Sequence, residues 1–265
     1  MNKPPFFVSP PRTRSSVLFE IIRPFVLSKM KLLELKTHPE FFLQFSRSDI
    51  ILDKRTNKTY NTELYPVVNN NNLEVHYIYP HIFDNPIDRN LYKLKILKNL
   101  KTENKNYYIK GTVQITHTPE QIIDFFSDRH FIITKRKNFT NLMLSFLYSW
   151  HSGIFHARGD NLDYYKNKLK EGIVVDTNDI HKHIRNIKKM DKVIEYIKFK
   201  NYQHSIVYYE DIENEKDMYN EINKILGTDE WQSMKGYTPI KLEKNYKESI
   251  LNYNEVINEI NSFRS

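Results

Sequence analysis

The first residues of this chain that could do chemistry form a short basic segment rich in hydroxyl groups: Arg12, Thr13, Arg14, Ser15 and Ser16. An apolar run at residues 6–8 precedes it and is typical of a buried parallel strand. Ser9-Pro10-Pro11 then predicts a turn, and apolar residues recur at helical spacing over residues 17–22. A loop between a strand and a helix directs backbone N–H groups, hydroxyls and the helix dipole at one point, which suits a phosphate or sulfate. The alternative is an ordinary connection in which Ser15 or Ser16 caps the helix.

Other basic residues also come directly after predicted strands. Lys110 ends one such strand, and Arg136 and Lys137 follow another. Because the carboxyl ends of parallel strands meet at one edge of a sheet, we expect these side chains to lie near Arg12. Ser145 comes eight positions after Lys137, on the next predicted helix. A forked guanidinium group with a hydroxyl suits a terminal phosphate, whereas the alternative is a plain surface cluster.

The composition predicts a folded, soluble protein. The 265 residues (32.0 kDa) are 40% hydrophobic, and we expect a single α/β domain over residues 1–265. A net charge of +8 and a pI near 9.2 would suit an anionic partner, but charge alone favours the alternative that lysines cover solvated helix faces. The absence of cysteine excludes disulfides, cysteine-based zinc sites and thiol nucleophiles. We find no signal peptide or membrane helix, and therefore expect a cytoplasmic protein without a membrane partner.

Predicted strands alternate with predicted helices along the chain. This alternation favours a parallel sheet of about five strands that is covered by helices on both faces. A glycine-containing stretch at residues 151–180 is expected to form a loop or lid over a site. The strands are predicted at residues 6–8, 32–35, 107–112, 131–134 and 205–209, and the helices at 17–22, 119–126, 139–150, 180–198 and 218–226, with one more in the C-terminal tail.

The segment Pro11 to Ser16, P-R-T-R-S-S, resembles the 5′-phosphosulfate loop of sulfotransferases that use 3′-phosphoadenosine 5′-phosphosulfate (PAPS). That loop commonly has the pattern P-[RK]-[ST]-G-[ST]-[ST], so Arg14 stands where the family usually has glycine. The pair of basic residues with a serine on the next helix resembles the 3′-phosphate site of bacterial and phage members of the family. In this chain the corresponding residues are Arg136, Lys137 and Ser145.

Two later segments extend the resemblance over nearly the whole chain. Tyr209-Glu210-Asp211-Ile212 is similar to the family segment Y-E-D-[LIM] on a late strand. Lys244-Asn245, followed by N-Y-N-E-V at residues 252–256, resembles the family's C-terminal loop, which closes over the nucleotide. The resemblance therefore implies that Tyr209 and Lys244 also bind PAPS.

The resemblance implies a sulfotransferase fold similar to that of P-loop nucleotide kinases. It also implies in-line transfer of the sulfuryl group of PAPS to a hydroxyl or amine of an acceptor, which could be a small molecule, a glycan or a peptide. Lys110 and Arg12 would stabilise the leaving phosphate, and Glu34 matches the catalytic base of tyrosylprotein-type and bacterial members. His117 is the alternative base, and no metal is expected.

Two other functions are compatible with the same residues. One is a catalytically silent relative that binds a nucleotide or another anion, which the replacement of the loop glycine by Arg14 would permit. The other, less favoured, is a nucleic-acid-binding protein that uses the basic helix predicted over residues 180–198. The sequence specifies neither the acceptor nor the oligomeric state.

Overall fold

A computed structural model describes residues 3–10, 12–30, 33–34, 50–53, 58–61, 107–108, 110–111, 119–152, 166–167, 170–228 and 245–263. The strands are β1 (Pro5–Val8), β2 (Leu33–Glu34), β3 (Ile50–Asp53), β4 (Lys58–Asn61), β5 (Tyr107–Tyr108), β6 (Lys110–Gly111), β7 (His130–Lys135) and β8 (His204–Tyr208). The helices are α1 (Ser15–Lys29), α2 (Pro119–Phe125), α3 (Phe139–Ser152), α4 (Thr177–Phe199), α5 (Glu215–Leu226), α6 (Tyr246–Ser249) and α7 (Tyr253–Ser262), and a 3-10 turn covers Tyr209–Ile212.

The predicted α/β alternation is confirmed, and so is the position of each predicted strand and helix core. The boundaries predicted for the loop at residues 151–180 are wrong at both ends. Helix α3 extends to Ser152, and α4 begins at Thr177. Asp176 caps α4, because its carboxylate accepts a hydrogen bond from the Asn178 backbone N–H at 2.9 Å.

The central sheet has the strand order β6-β1-β7-β8, and all of its strands are parallel. Strand β1 pairs with β6 on one side, where Phe7 lies opposite Lys110, and with β7 on the other, where Phe7 lies opposite Ile132. Strands β2 and β5 form a second parallel pair, and β3 and β4 form an antiparallel pair. The loops that follow β1, β7 and β8 therefore leave the sheet at the same edge.

Helices cover both faces of this sheet because its strands are apolar on both sides. Phe6 and Val8 point into a core formed with α2 and the second half of α4. Phe7, between them in sequence, points into the opposite core, which α1 and α5 complete. All three side chains have no exposed surface. The short apolar run predicted as a buried strand therefore joins two helical layers.

A third apolar cluster lies among α3, the first half of α4 and α7. It holds the C-terminal segment in place, together with polar contacts to the segment that precedes α4. Ile173 forms a parallel bridge with Ile250. The Asn252 amide accepts from the Val175 backbone N–H at 3.0 Å and donates to the Val175 carbonyl at 2.9 Å. Among the described residues, no helix combines the length and apolar character needed to cross a membrane.

Two buried histidines make the stability of this fold sensitive to acid. His130 and His183 are only 6% and 4% exposed, and burial is the main cause that lowers the pKa of each to about 4. An unfolded histidine titrates near pH 6.5. Between pH 4 and pH 6.5 the unfolded chain binds more protons than the folded chain does. The stability that these neutral histidines contribute is therefore complete above pH 6.5 and is lost as the pH falls toward 4.

We therefore expect the free energy of unfolding to decrease by about 1.4 kcal/mol per pH unit and per buried histidine below pH 6.5. Urea unfolding followed by circular dichroism at pH 7.5 and pH 5.0 measures this loss. Because His183 packs against the Phe146 and Trp150 rings, His183→Phe should retain the packing and reduce the loss by about 2 kcal/mol. An equal pH dependence of the wild type and the variant would contradict the assignment.

Candidate functional site

The loop between β1 and α1 holds two arginines in the left-handed region of backbone space. The φ angle is 66° for Arg12 and 60° for Arg14. This conformation costs an L-residue roughly 1–2 kcal/mol. Such strain persists only where surrounding contacts hold it, and it is frequent at ligand-binding sites.

Contacts with the turn after β8 hold Arg14 in this conformation. Its Nη1 donates to the carbonyl of Ile212 at 2.5 Å and to that of Glu213 at 2.9 Å. The guanidinium lies 5.1 Å from the centre of the Tyr209 ring. Arg14 thus adopts the backbone conformation that glycine takes most easily, while its side chain joins the loop to a distant turn. Arg14 also precedes α1 as its N-cap residue, without a side-chain cap, so Ser15 and Ser16 lie in the first turn of the helix and do not cap it.

Thr13 joins the same loop to the end of β7. Its buried hydroxyl donates to the Pro10 carbonyl at 2.9 Å and lies 2.6 Å from the Thr134 hydroxyl. A hydroxyl has one proton, which Thr13 uses on Pro10, so Thr134 must donate to Thr13. The Thr13 hydroxyl therefore acts as donor and acceptor within the protein.

Arg12 connects the loop to α3. Its Nε donates to the hydroxyl of Ser145 at 3.1 Å, and Ser145 is 4% exposed. Burial is the main cause that lowers the pKa of the Arg12 guanidinium; Tyr246 and Tyr209 raise this pKa, and the nearby Arg136 cation lowers it further. The structure thus brings Arg12 and Ser145 together, a contact that the sequence did not predict, with the Arg136 guanidinium close by.

Arg136 lies against the ring of Tyr209. Its guanidinium carbon is 4.0 Å from the ring centre, its Nη1 donates to the Asn141 carbonyl at 3.3 Å, and its Nε is 3.9 Å from a carboxylate oxygen of Glu210. The Tyr209 ring therefore contacts the guanidinium groups of both Arg14 and Arg136, which explains how two cations are held near Arg12.

Glu210 and Asp211 organise the turn that carries Arg136. The Glu210 carboxylate accepts from the backbone N–H groups of Lys137 and Asn138, at 2.9 and 3.2 Å. Lys137 is exposed, and its Nζ forms an ion pair with Asp211 at 2.5 Å. This hydrogen bond is the main cause that raises the pKa of Lys137. Of the two adjacent basic residues, Arg136 packs on Tyr209 and Lys137 pairs with Asp211.

Of the other predicted site residues, two have a described backbone position and two lie outside the described residues. Glu34 is the last residue of β2, opposite Tyr108, and Lys110 lies opposite Phe7 in β1. Glu34 thus lies at the carboxyl end of its strand, whereas Lys110 is the first residue of the two-residue strand β6. Lys244 and His117 lie outside the described residues, and the described part contains no group of three or more residues suited to a metal ion.

Sequence reasoning did not identify Tyr246. This half-buried residue acts on the pKa of Arg12, and its ring centre lies 6.1 Å from that of Tyr148 in the third cluster. Its position directly after the Lys244-Asn245 segment is the sequence feature that could have indicated it.

No protein-family model, no curated protein and no solved structure matches the chain. The function of the site must therefore be inferred from the residues that form it. Two guanidinium groups and a buried serine hydroxyl converge from three segments at one sheet edge, beside a strained loop that leads into a helix N-terminus. This arrangement can bind an anion of the phosphate or sulfate type.

Substitutions at Arg14 test whether the left-handed backbone is held by its side chain. Arg14→Gly and Arg14→Ala both remove the hydrogen bonds to Ile212 and Glu213, so both should be less stable than the wild type. Alanine retains the strained φ and glycine does not, so Arg14→Ala should unfold about 1 kcal/mol more easily than Arg14→Gly in urea.

Arg23, inside α1, provides the matched control. There the order should reverse, because glycine destabilises a helix interior by about 1 kcal/mol relative to alanine. If Arg14→Ala were as stable as Arg14→Gly, the left-handed conformation of Arg14 would be refuted.

Proposed function

We propose that this chain is a PAPS-dependent sulfotransferase, which transfers the sulfuryl group of PAPS to a hydroxyl or amine of an acceptor. The main observation in support of this proposal is the hydrogen bond from Arg12 to Ser145, beside the Arg136 guanidinium. It joins two of the segments that independently resemble PAPS-binding elements. The third, the Y-E-D segment, supplies the Tyr209 ring on which Arg136 rests.

The residues fit the two anionic ends of such a nucleotide. Arg12, Ser15 and Ser16 would hold the 5′-phosphosulfate at the start of α1. Arg136 and Ser145 would hold the 3′-phosphate, with Lys137 at the rim because Asp211 already neutralises it. A bound dianion would relieve the repulsion between the guanidinium groups, so these charges favour occupancy by an anion.

The sheet supports the finer fold assignment, a five-stranded sheet like that of P-loop nucleotide kinases. Strands β5 and β6 are separated in sequence only by Ile109. The proposed sheet has five parallel strands in the order β2, β5/β6, β1, β7, β8, because β5 pairs with β2 and β6 pairs with β1. The connections then lead away from β1 in both directions, and such a switch point is where ligands bind in open α/β sheets.

The proposed reaction breaks the bond between sulfur and the oxygen that bridges to the 5′-phosphate. A new bond forms between sulfur and the acceptor oxygen or nitrogen, and the leaving phosphate keeps the electron pair. Glu34, at the carboxyl end of β2, would take the acceptor proton. Lys110 and Arg12 would stabilise the negative charge that develops on the leaving phosphate, and partial burial of Arg12 strengthens this interaction.

A thermal shift assay tests the nucleotide site. Adenosine 3′,5′-bisphosphate at a hundredfold excess over its Kd should raise the Tm by about 5–10 °C, since it binds only the native state. ATP and adenosine 5′-phosphosulfate, which lack the 3′-phosphate, should shift the Tm weakly. Equal shifts with adenosine 5′-phosphosulfate would contradict the placement of the 3′-phosphate.

Arg136→Ala should weaken binding of the bisphosphate roughly ten- to hundredfold, through the loss of charge-assisted hydrogen bonds. Lys135→Ala is the control, because Lys135 is the adjacent cation but pairs with Asp191 at 2.7 Å. It should retain the affinity of the wild type.

Turnover of PAPS labelled in the sulfuryl group tests the catalytic assignment. Glu34→Gln should leave the bisphosphate affinity nearly unchanged and lower turnover by about 10²–10⁴, the usual contribution of a general base. Lys110→Ala should also lower turnover, and His117→Ala should have little effect. An inactive His117 variant with an active Glu34 variant would reassign the base. Tight nucleotide binding without any turnover would instead identify the silent relative.

A further inference from the structure

The side of α4 that faces away from the core carries a row of exposed cations. On a helix of 3.6 residues per turn they occupy an arc of about 120°. The opposite side of α4 is buried and includes Ile184, Met190, Ile194 and Ile197. We call this row the basic stripe, and it consists of Lys182, Arg185, Lys188, Lys189 and Lys192.

Among the described residues, no carboxylate forms an ion pair with any member of the basic stripe. Asp191, on the same helix, pairs with Lys135 at the end of β7. Elsewhere, exposed cations such as Lys137 and Lys224 do have a carboxylate partner. Like charges three and four residues apart destabilise a helix, so α4 tolerates the stripe because its other side is buried. The positive potential of the stripe is thus available to an external anion.

Exposed aromatic rings flank the basic stripe at both ends. Trp150, 47% exposed, lies near the first cation, with Lys182 Nζ 5.9 Å from its ring centre. At the other end, Phe199 is 82% exposed, and Tyr196 lies 5.5 Å from Lys200 Nζ. Cations along a backbone track, with rings on which bases stack, are the features that bind single-stranded nucleic acid without sequence preference.

We propose that the basic stripe, together with Trp150 and Phe199, binds single-stranded nucleic acid. Phosphates would lie along the cations, and bases would stack on the two exposed rings. A sulfated polymer offers charge but no aromatic bases for these rings. Insertion into a bilayer would need an apolar helix face, and that of α4 is already buried in the core. The basic stripe shares no residue with the proposed nucleotide site, and the proposal does not depend on that site.

Fluorescence anisotropy of a fluorescein-labelled oligothymidylate of 20 nucleotides, with the full chain, tests this proposal. Five contacted phosphates predict that affinity falls about hundredfold between 50 and 200 mM salt, with a slope of about −3.5 in the double-logarithmic plot. The triple variant K182Q/R185Q/K189Q should make this slope about 2 units shallower and bind at least tenfold more weakly at 50 mM salt.

The variant K198Q/K216Q/K224Q loses the same charge from exposed lysines outside the stripe and should retain the slope. Stacking is tested in a Trp231→Phe background, in which Trp150 is the remaining tryptophan. The oligonucleotide should quench its fluorescence, and Trp150→Ala should weaken binding about tenfold.

Three outcomes would overturn the proposal. Equal losses in the two triple variants would show that only net charge matters. Displacement of the oligonucleotide by excess adenosine 3′,5′-bisphosphate would place it at the sheet edge instead. Binding to heparin or to phosphatidylserine vesicles, without binding to the oligonucleotide, would assign the surface to a different polyanion.

Discussion

The complete burial of β1 constrains the rest of the structure. Its side chains enter two cores on opposite faces, and both of its edges are paired with parallel strands. Burying a Phe or Val side chain contributes about 1.5–3 kcal/mol, so each of Phe6, Phe7 and Val8 stabilises one helical layer. No polar group can be introduced along the strand without a large loss of stability. Reactive side chains can therefore lie only beyond its end, where Arg12 and Arg14 are found.

The site at that end brings like charges together and compensates for them with specific contacts. Arg14 is held by two carbonyls and the Tyr209 ring, and Arg136 by the same ring and the Glu210 carboxylate. Arg12 is bonded to a neutral hydroxyl of Ser145. The two flanking arginines are thus fixed by partners that leave the cluster positive, which is the electrostatic condition for binding an anion.

Much of this arrangement can be predicted from the sequence, because the pattern of apolar residues indicates which segments are buried. Apolar runs at residues 6–8 and 131–134 predicted the central strands, and the rule that parallel strands share an edge predicted that Arg136 would lie near Arg12. The pattern could not show that Arg14 adopts a left-handed backbone, because that depends on carbonyls about 200 positions away in sequence. It could not distinguish Lys137 from Arg136 either, since the pairing with Asp211 is a long-range side-chain contact.

The sequence separation of the contacts around the loop has a consequence for how the protein folds. Thr13 is 121 residues from Thr134, and Arg12 is 133 residues from Ser145. Contacts between residues that are so far apart in sequence form late and slow the folding of the chain. During synthesis, an apolar β1 leaves the ribosome long before β7 exists to pair with it, and unpaired apolar strands favour aggregation. The loop between β1 and α1 is therefore the first part of the candidate site to be synthesised, yet it reaches its final shape only after α3 has formed.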